Sequence, residues 1–302
     1  MMILNIIKTI ILGIVEGITE WLPVSSTGHL ILVNSIMKLE MSREFVEMFD
    51  VVVQLGAILA VVVIYFKKLW PFRMKGEAAV KSQFAHVQTD GAGARFQKFA
   101  DRHLYMDKVV MWLKILVSVI PAILIGLPLD DWLDEHLYNA TVVALMLILY
   151  GVFFILIENR NKGRKPRVDR LRKITMKDAL IIGLFQCLAM IPGTSRSGAT
   201  IIGGILIGMS RTVAAEYTFY LAIPTMFGAS ALKLLKFIKN GGGFGGEEIL
   251  VLAIGMTVAF AVSVFTIKFL MNYIRKHDFK VFGWYRIALG ALVLVFGLAH
   301  LI

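Results

Sequence analysis

The stretch that decides the architecture is Glu16-Gly-Ile-Thr-Glu20-Trp-Leu-Pro23-Val-Ser25-Ser26-Thr27-Gly28-His29, with its echo Ile191-Pro192-Gly193-Thr194-Ser195-Arg196-Ser197-Gly198. Each is a polar, proline-containing break between two short apolar runs. Ile3–Val15 and Leu30–Met37 flank the first, Lys177–Met190 and Ala199–Met209 the second. Arms of about 10 to 14 residues are too short to cross a bilayer singly. Irregular backbone at membrane depth is tolerated only where protein buries it or where it lines a wet cavity. The pattern therefore predicts two re-entrant helical hairpins, at 1–40 and 175–210. One kinked span at each place is the alternative reading of the same residues.

Outward from the breaks, the chain is built for lipid. Of its 302 residues, 58% are hydrophobic and only 18% charged, where soluble domains run near a quarter charged. That excludes a water-soluble single-core enzyme and a disordered chain. The single cysteine excludes an intrachain disulfide scaffold. A formal charge of +11 fits basic loops against anionic lipid better than nucleic acid, so no nucleic-acid partner is expected. Six full spans are predicted at Phe45–Phe66, Val109–Leu129, Thr141–Ile157, Ala215–Ile238, Ile249–Met271 and Phe282–Ile302. A cleavable signal peptide is not expected, because the first apolar run lacks a basic leader and meets Glu16 and Glu20 with no small-residue cleavage site. The segments 67–108, 159–177 and 272–280 are basic, whereas the loops expected at 130–136 and 240–248 carry acids and no lysine or arginine. Loop charge thus puts both termini outside, provided that the first hairpin returns outward and the second to the cytoplasm.

The breaks also match each other at an offset of 170. Gly13 pairs with Gly183, Glu16 with Gln186, Ser25 with Ser195 and Gly28 with Gly198, while Pro23 and Pro192 miss by one. Further on, Gly56-Ala57 pairs with Gly228-Ala229 and Ala144-Leu145 with Ala288-Leu289. The expectation is an all-α integral membrane protein forming one membrane domain. Its first repeat covers 1–160 and carries an insertion at 73–102; its second covers 175–302. Three spans per half invert one repeat against the other, an arrangement that brings broken helices together near the midplane.

The chemistry sits in the breaks. Glu16 and Glu20, four apart, share a helix face. Paired carboxylates in an apolar helix are costly without a cation or water, and their oxygens suit a divalent Mg²⁺ or Ca²⁺. The helix starts at Ser25-Ser26-Thr27 and Thr194-Ser195-Arg196-Ser197 offer free backbone N–H groups to an anion, and Arg196 adds a planar fork of donors suited to phosphate. His29 lies three residues after Ser26 and could act as base or acid. No Walker loop, His-Glu-x-x-His or zinc-type cysteine cluster is present. One half supplies acids and an imidazole and the other a cation, a division of labour that favours catalysis. A carrier-lipid flippase or secondary transporter on the same scaffold is the rival reading.

EGITEWLPVSSTGHL (Glu16–Leu30) and PGTSRSGAT (Pro192–Thr200) closely resemble segments of the undecaprenyl-diphosphate phosphatases, the bacitracin-resistance proteins of bacterial membranes. FDVVVQLGAILAVV (Phe49–Val62), AAEYTFYLAIP (Ala214–Pro224) and WYRIALG (Trp284–Gly290) are similar to family segments too, so the likeness covers nearly the whole chain. The insertion at 73–102 is longer than the family leads one to expect. The resemblance implies hydrolysis of the polyprenyl diphosphate lipid to undecaprenyl phosphate, which recycles the carrier for the cell wall. It also implies a divalent cation, residence in the bacterial plasma membrane, and an outward-opening cavity. It carries over Glu16, Glu20, Ser26, Thr27, His29, Ser195 and Arg196, and adds Arg286 as a residue lining the phosphate site. Small-residue stretches such as Gly203-Gly204-Ile-Leu-Ile-Gly208 leave a homodimer open, although packing within the fold accounts for them better.

Overall fold

The computed structural model describes residues 2–73, 95, 99–100 and 102–299. Among the described residues the fold is helical, with no more β-structure than two isolated bridges, Phe72 with Leu104 and Val168 with Met209. Most of the expected insertion at 73–102 lies outside the described residues.

The first break separates α1 (Met2–Thr19) from α2 (Ser26–Ile36). Next come α3 (Arg43–Val52) and α4 (Gln54–Ile64), which together make one apolar rod, and a short α5 (Phe66–Leu69). Helix α6 (Met106–Pro121) passes through a π-turn at Ala122–Gly126 into α7 (Leu127–Leu137), and α8 (Ala140–Asn161) follows. The second break separates α9 (Met176–Cys187) from α10 (Arg196–Leu206). The chain ends with α11 (Arg211–Lys239), α12 (Gly246–Tyr273) and α13 (Lys280–Leu298).

Among the described residues, seven helical segments are long and apolar enough to cross a membrane, so the chain is a multi-pass integral membrane protein. Six of them overlap the expected spans. The seventh is α1, and here the sequence reading changes: the arm does not stop at Val15 but runs through Thr19, 18 residues or about 27 Å of helix. It continues because protein buries the polar groups of its last turns, Glu16 at 0% and Thr19 at 4% exposure. Helix length alone therefore does not separate a hairpin arm from a span. A second change concerns 130–136, expected as an acidic loop. Its backbone is helical within α7, where Pro128 in the first turn has a φ already suited to a helix start.

Each broken pair nevertheless closes at one end. Asn5 near the start of α1 exchanges hydrogen bonds with the Glu40 backbone beyond α2 (3.4 and 3.1 Å), and Lys8 pairs with Glu40 at 3.0 Å. Asn5 also donates to Glu247 at the start of α12. In the second pair, Arg167 holds Asp178 of α9 at 2.6 Å and the carbonyl of Ile207 just past α10. Each broken pair thus leaves on the side from which it came, one toward the 240–248 segment and the other toward the basic 159–177 segment.

The helices of the two sequence halves interleave. α1 packs along α12, α9 along α6, and α13 along α8. The matched glycines explain how closely. A Cβ on Gly13 would stand 2.9 Å from the Gly255 carbonyl of α12, and one on Gly183 would drive into the Ser118 carbonyl of α6. Small residues at such contacts let helix backbones approach in lipid, and this brings the ends of α1 and α9 into the middle of the molecule.

Candidate active site

The two breaks, far apart in sequence, meet at one ion pair. Arg196 at the start of α10 donates from Nη2 to Glu20 Oε1 at 3.0 Å, and Ser26 at the start of α2 donates from Oγ to Glu20 Oε2 at 3.2 Å. Ser197 Oγ donates to the Glu20 carbonyl at 3.2 Å. Glu20 therefore joins a hydroxyl of its own hairpin to a guanidinium of the other. The pair is largely buried, with side-chain exposures of 15% for Arg196 and 8% for Glu20. In such a setting the attraction is strong only if the remaining donors are satisfied. Arg196 Nη1 donates to the Thr218 carbonyl of α11 at 3.2 Å and the guanidinium lies 5.9 Å from the Trp21 ring, while Nε has no protein partner among the described residues.

Both helix starts have the same local form. Ser25 and Ser195 are the only non-glycine residues with positive φ among those described, at 74° and 72°. Each is an N-cap whose side chain accepts from the N–H three residues on, Gly28 at 3.4 Å and Gly198 at 3.2 Å. A left-handed L-residue costs about 1–2 kcal/mol, and such strain persists where the surroundings over-determine it. The first N–H groups of α2 and α10 have no intrahelical acceptor. Thr27, half-buried, sits in the first turn of α2, and Thr194 immediately precedes the second cap.

A family model described as Bacitracin resistance protein BacA matches residues 9–292, so it includes both breaks and every helix that supports them. The chain belongs to the BacA family. Among its curated relatives, an undecaprenyl-diphosphatase of Desulfitobacterium hafniense is 57% identical over 98% of this chain and 97% of its own. Proteins of that name from Enterococcus faecalis and Latilactobacillus sakei are 53% and 54% identical, each over 97% of this chain and 98% of its own.

In this BacA-family chain the expected site residues lie at or against the two breaks. His29 does not hydrogen-bond to Ser26. Its Nδ1 lies 2.7 Å from the Ser25 carbonyl one turn back, and its Nε2 lies 2.7 Å from the Tyr285 hydroxyl. A carbonyl only accepts, so Nδ1 donates, and in the neutral ring Nε2 accepts from tyrosine. The side chain in contact with the Ser26 hydroxyl is Glu20. Arg286, expected at the phosphate site, is 0% exposed and directs its donors at backbone carbonyls of the breaks, Pro23, Gly193 and Thr194. Sequence reasoning also missed Tyr285 and Thr218, whose only signal was their place inside the family-like segments WYRIALG and AAEYTFYLAIP.

Several buried polar atoms at the breaks lack a protein partner: both Glu16 carboxylate oxygens, Trp21 Nε1, Thr194 Oγ1 and Arg196 Nε. A buried polar atom left unpaired costs about 1–3 kcal/mol, and a concentration of them in a native fold marks a place where water, an ion or a ligand is bound. Glu16 in particular fits a hard cation, since it is fully buried with both oxygens uncommitted. Among the described residues no group of three or more His, Cys, Asp or Glu side chains is arranged to hold a metal. Glu16 and Glu20 would therefore supply part of a coordination shell, leaving positions for phosphate oxygens and water, as Mg²⁺ sites commonly do.

Proposed function

We propose that this chain hydrolyses undecaprenyl diphosphate to undecaprenyl phosphate and inorganic phosphate, recycling the carrier lipid for cell-wall synthesis and conferring bacitracin resistance. Family membership and the relatives' shared name support the reaction. The observation that carries the site is Glu20 in simultaneous contact with Ser26 and Arg196. A hydroxyl, its proton acceptor and a guanidinium suited to phosphate oxygens are thereby drawn from two hairpins to one point.

In this reading the prenyl tail stays in lipid beside the bundle and the diphosphate enters between the breaks. Arg196 and the N–H groups that open α2 and α10 hold phosphate oxygens and oppose the charge that builds during transfer. Ser26 Oγ attacks the terminal phosphorus and its proton passes to Glu20. The bond to the bridging oxygen breaks, and undecaprenyl phosphate departs. Water then attacks the phosphoserine phosphorus, and the serine oxygen leaves with the proton held by Glu20. A divalent cation held by Glu16 and Glu20 would offset phosphate charge. Residence in the bacterial plasma membrane with the site open to the outer side agrees with the loop charges and with where spent carrier lipid appears.

Phosphate release from undecaprenyl diphosphate by purified protein in detergent with Mg²⁺ tests the activity. Acid quenching within the first turnover should trap labelled phosphate on Ser26, and its absence across a fast-quench series would replace serine attack by direct attack of water. Transport of the intact diphosphate without phosphate release would favour the flippase reading.

A further inference from the structure

Arg286 of α13 is fully buried, and its hydrogen-bond partners among the described residues are all backbone carbonyls. Nη1 donates to Pro23 O of the first break at 3.3 Å. Nη2 lies 2.8 Å from Gly193 O and 2.9 Å from Thr194 O of the second break, and 3.5 Å from Met146 O of α8. The guanidinium also faces the Tyr150 ring at 5.6 Å. One side chain from the last helix therefore grips both breaks from behind, and α8 grips it in turn.

The grip has a direction. Across a trans peptide the C=O of one residue and the N–H of the next point opposite ways. Holding the Thr194 carbonyl against Arg286 therefore turns the Ser195 N–H away from the guanidinium. It also keeps the carbonyl oxygens, which would repel an anion, on the Arg286 side of the turn. The gripped carbonyls adjoin the two strained caps: Thr194 immediately precedes Ser195, and Pro23 stands two residues before Ser25, the two non-glycine residues with left-handed φ among those described. Strain of that kind needs an outside restraint, and Arg286 supplies the same restraint to both.

We infer that Arg286 is a positioning residue that locks the two breaks to each other, with their helix starts presented to one anion, and does not itself bind phosphate. The inference rests on the reading of the breaks as a phosphate-transfer site. Its first test does not need turnover, so the lock between the breaks can fail or hold separately from that reading.

Arg286→Lys and Arg286→Gln would be purified in detergent and compared with wild type by hydrogen exchange without substrate. Peptides covering Ser25–Gly28 and Ser195–Gly198 should both exchange at least ~10-fold faster, whereas α6 keeps its wild-type protection. Unchanged exchange at both breaks would overturn the inference. With substrate, kcat should fall on the order of 100-fold and KM move less than about 3-fold, because alignment and not binding is lost. A KM raised more than about 10-fold with kcat preserved would make Arg286 a phosphate ligand instead. If neither variant folds, wild-type exchange decides: the two breaks should open as one unit with equal opening free energy, and clearly different values would refute the lock.

Discussion

Removing both partners of the Glu20–Arg196 pair should damage the protein less than the sum of removing each alone. Arg196→Ala leaves the Glu20 carboxylate at 8% side-chain exposure without its counter-charge, a change that costs about 3–5 kcal/mol for buried pairs. Glu20→Gln keeps an oxygen for Arg196 or Ser26 but loses the charge-assisted bonds at 3.0 and 3.2 Å, about 1.5–3 kcal/mol. The double variant leaves neither charge stranded. Its loss should therefore fall short of the sum of the single losses by about 1–3 kcal/mol, the coupling expected for groups in direct contact. Denaturant midpoints in one detergent, with slopes compared across all four proteins, measure this. Activity should follow the same logic. Each single variant loses about 10²–10⁴-fold in phosphate release, and the double variant falls little below the worse single one, as for residues that act as a unit. Additive stability losses within about 0.5 kcal/mol, or a wild-type rate in Glu20→Gln, would refute the contact as the centre of the site.

The remaining expectations rest on separate contacts. At Ser195, with φ 72°, both Gly and Ala lose the cap, but Gly escapes the left-handed penalty; Ser195→Ala should be less stable than Ser195→Gly by about 1 kcal/mol, and equal midpoints would contradict the strain. Tyr285→Phe removes the hydroxyl 2.7 Å from His29 Nε2; it should slow phosphate release less than about 10-fold and add nothing to His29→Ala, since both break one bond, whereas independent effects would part the two residues. Chelation should stop phosphate release and Mg²⁺ restore it. Glu16→Gln, which replaces the uncommitted carboxylate, should raise the Mg²⁺ needed for half-maximal rate by about 10-fold or more; an unchanged Mg²⁺ requirement would remove Glu16 from the cation site.

Local chemistry was readable from the chain, and long-range contact was readable only in part. The two breaks announced themselves because proline and clustered hydroxyls interrupt apolar runs, and the matched serines proved to share one backbone conformation. The opposition of acid and guanidinium followed from charge, since neither Glu20 nor Arg196 is tolerable alone at membrane depth. The end of α1 was misjudged because Glu16 resembles a boundary residue until one knows that protein covers it. The path through 130–136 was misjudged because acidic composition suits an exposed helix as well as a loop. Spacing placed His29 near Ser26 but not its bonds: a helical side chain leans back toward the preceding turn, where it meets the Ser25 carbonyl. The contact of Tyr285 with His29 and the carbonyl partners of Arg286 were not legible, because apolar periodicity does not specify which helix faces which.

The most direct test of the meeting of the two breaks is zero-length carbodiimide coupling in an Arg196→Lys protein, read by mass spectrometry. An amide can form only if the introduced amine touches the Glu20 carboxylate, in keeping with the 3.0 Å contact across 176 residues. The Lys8–Glu40 and Lys68–Glu216 pairs, at 3.0 and 2.6 Å, serve as internal controls. The account predicts a peptide joining positions 20 and 196, lost in Glu20→Gln. Coupling of both control pairs without that peptide would contradict it.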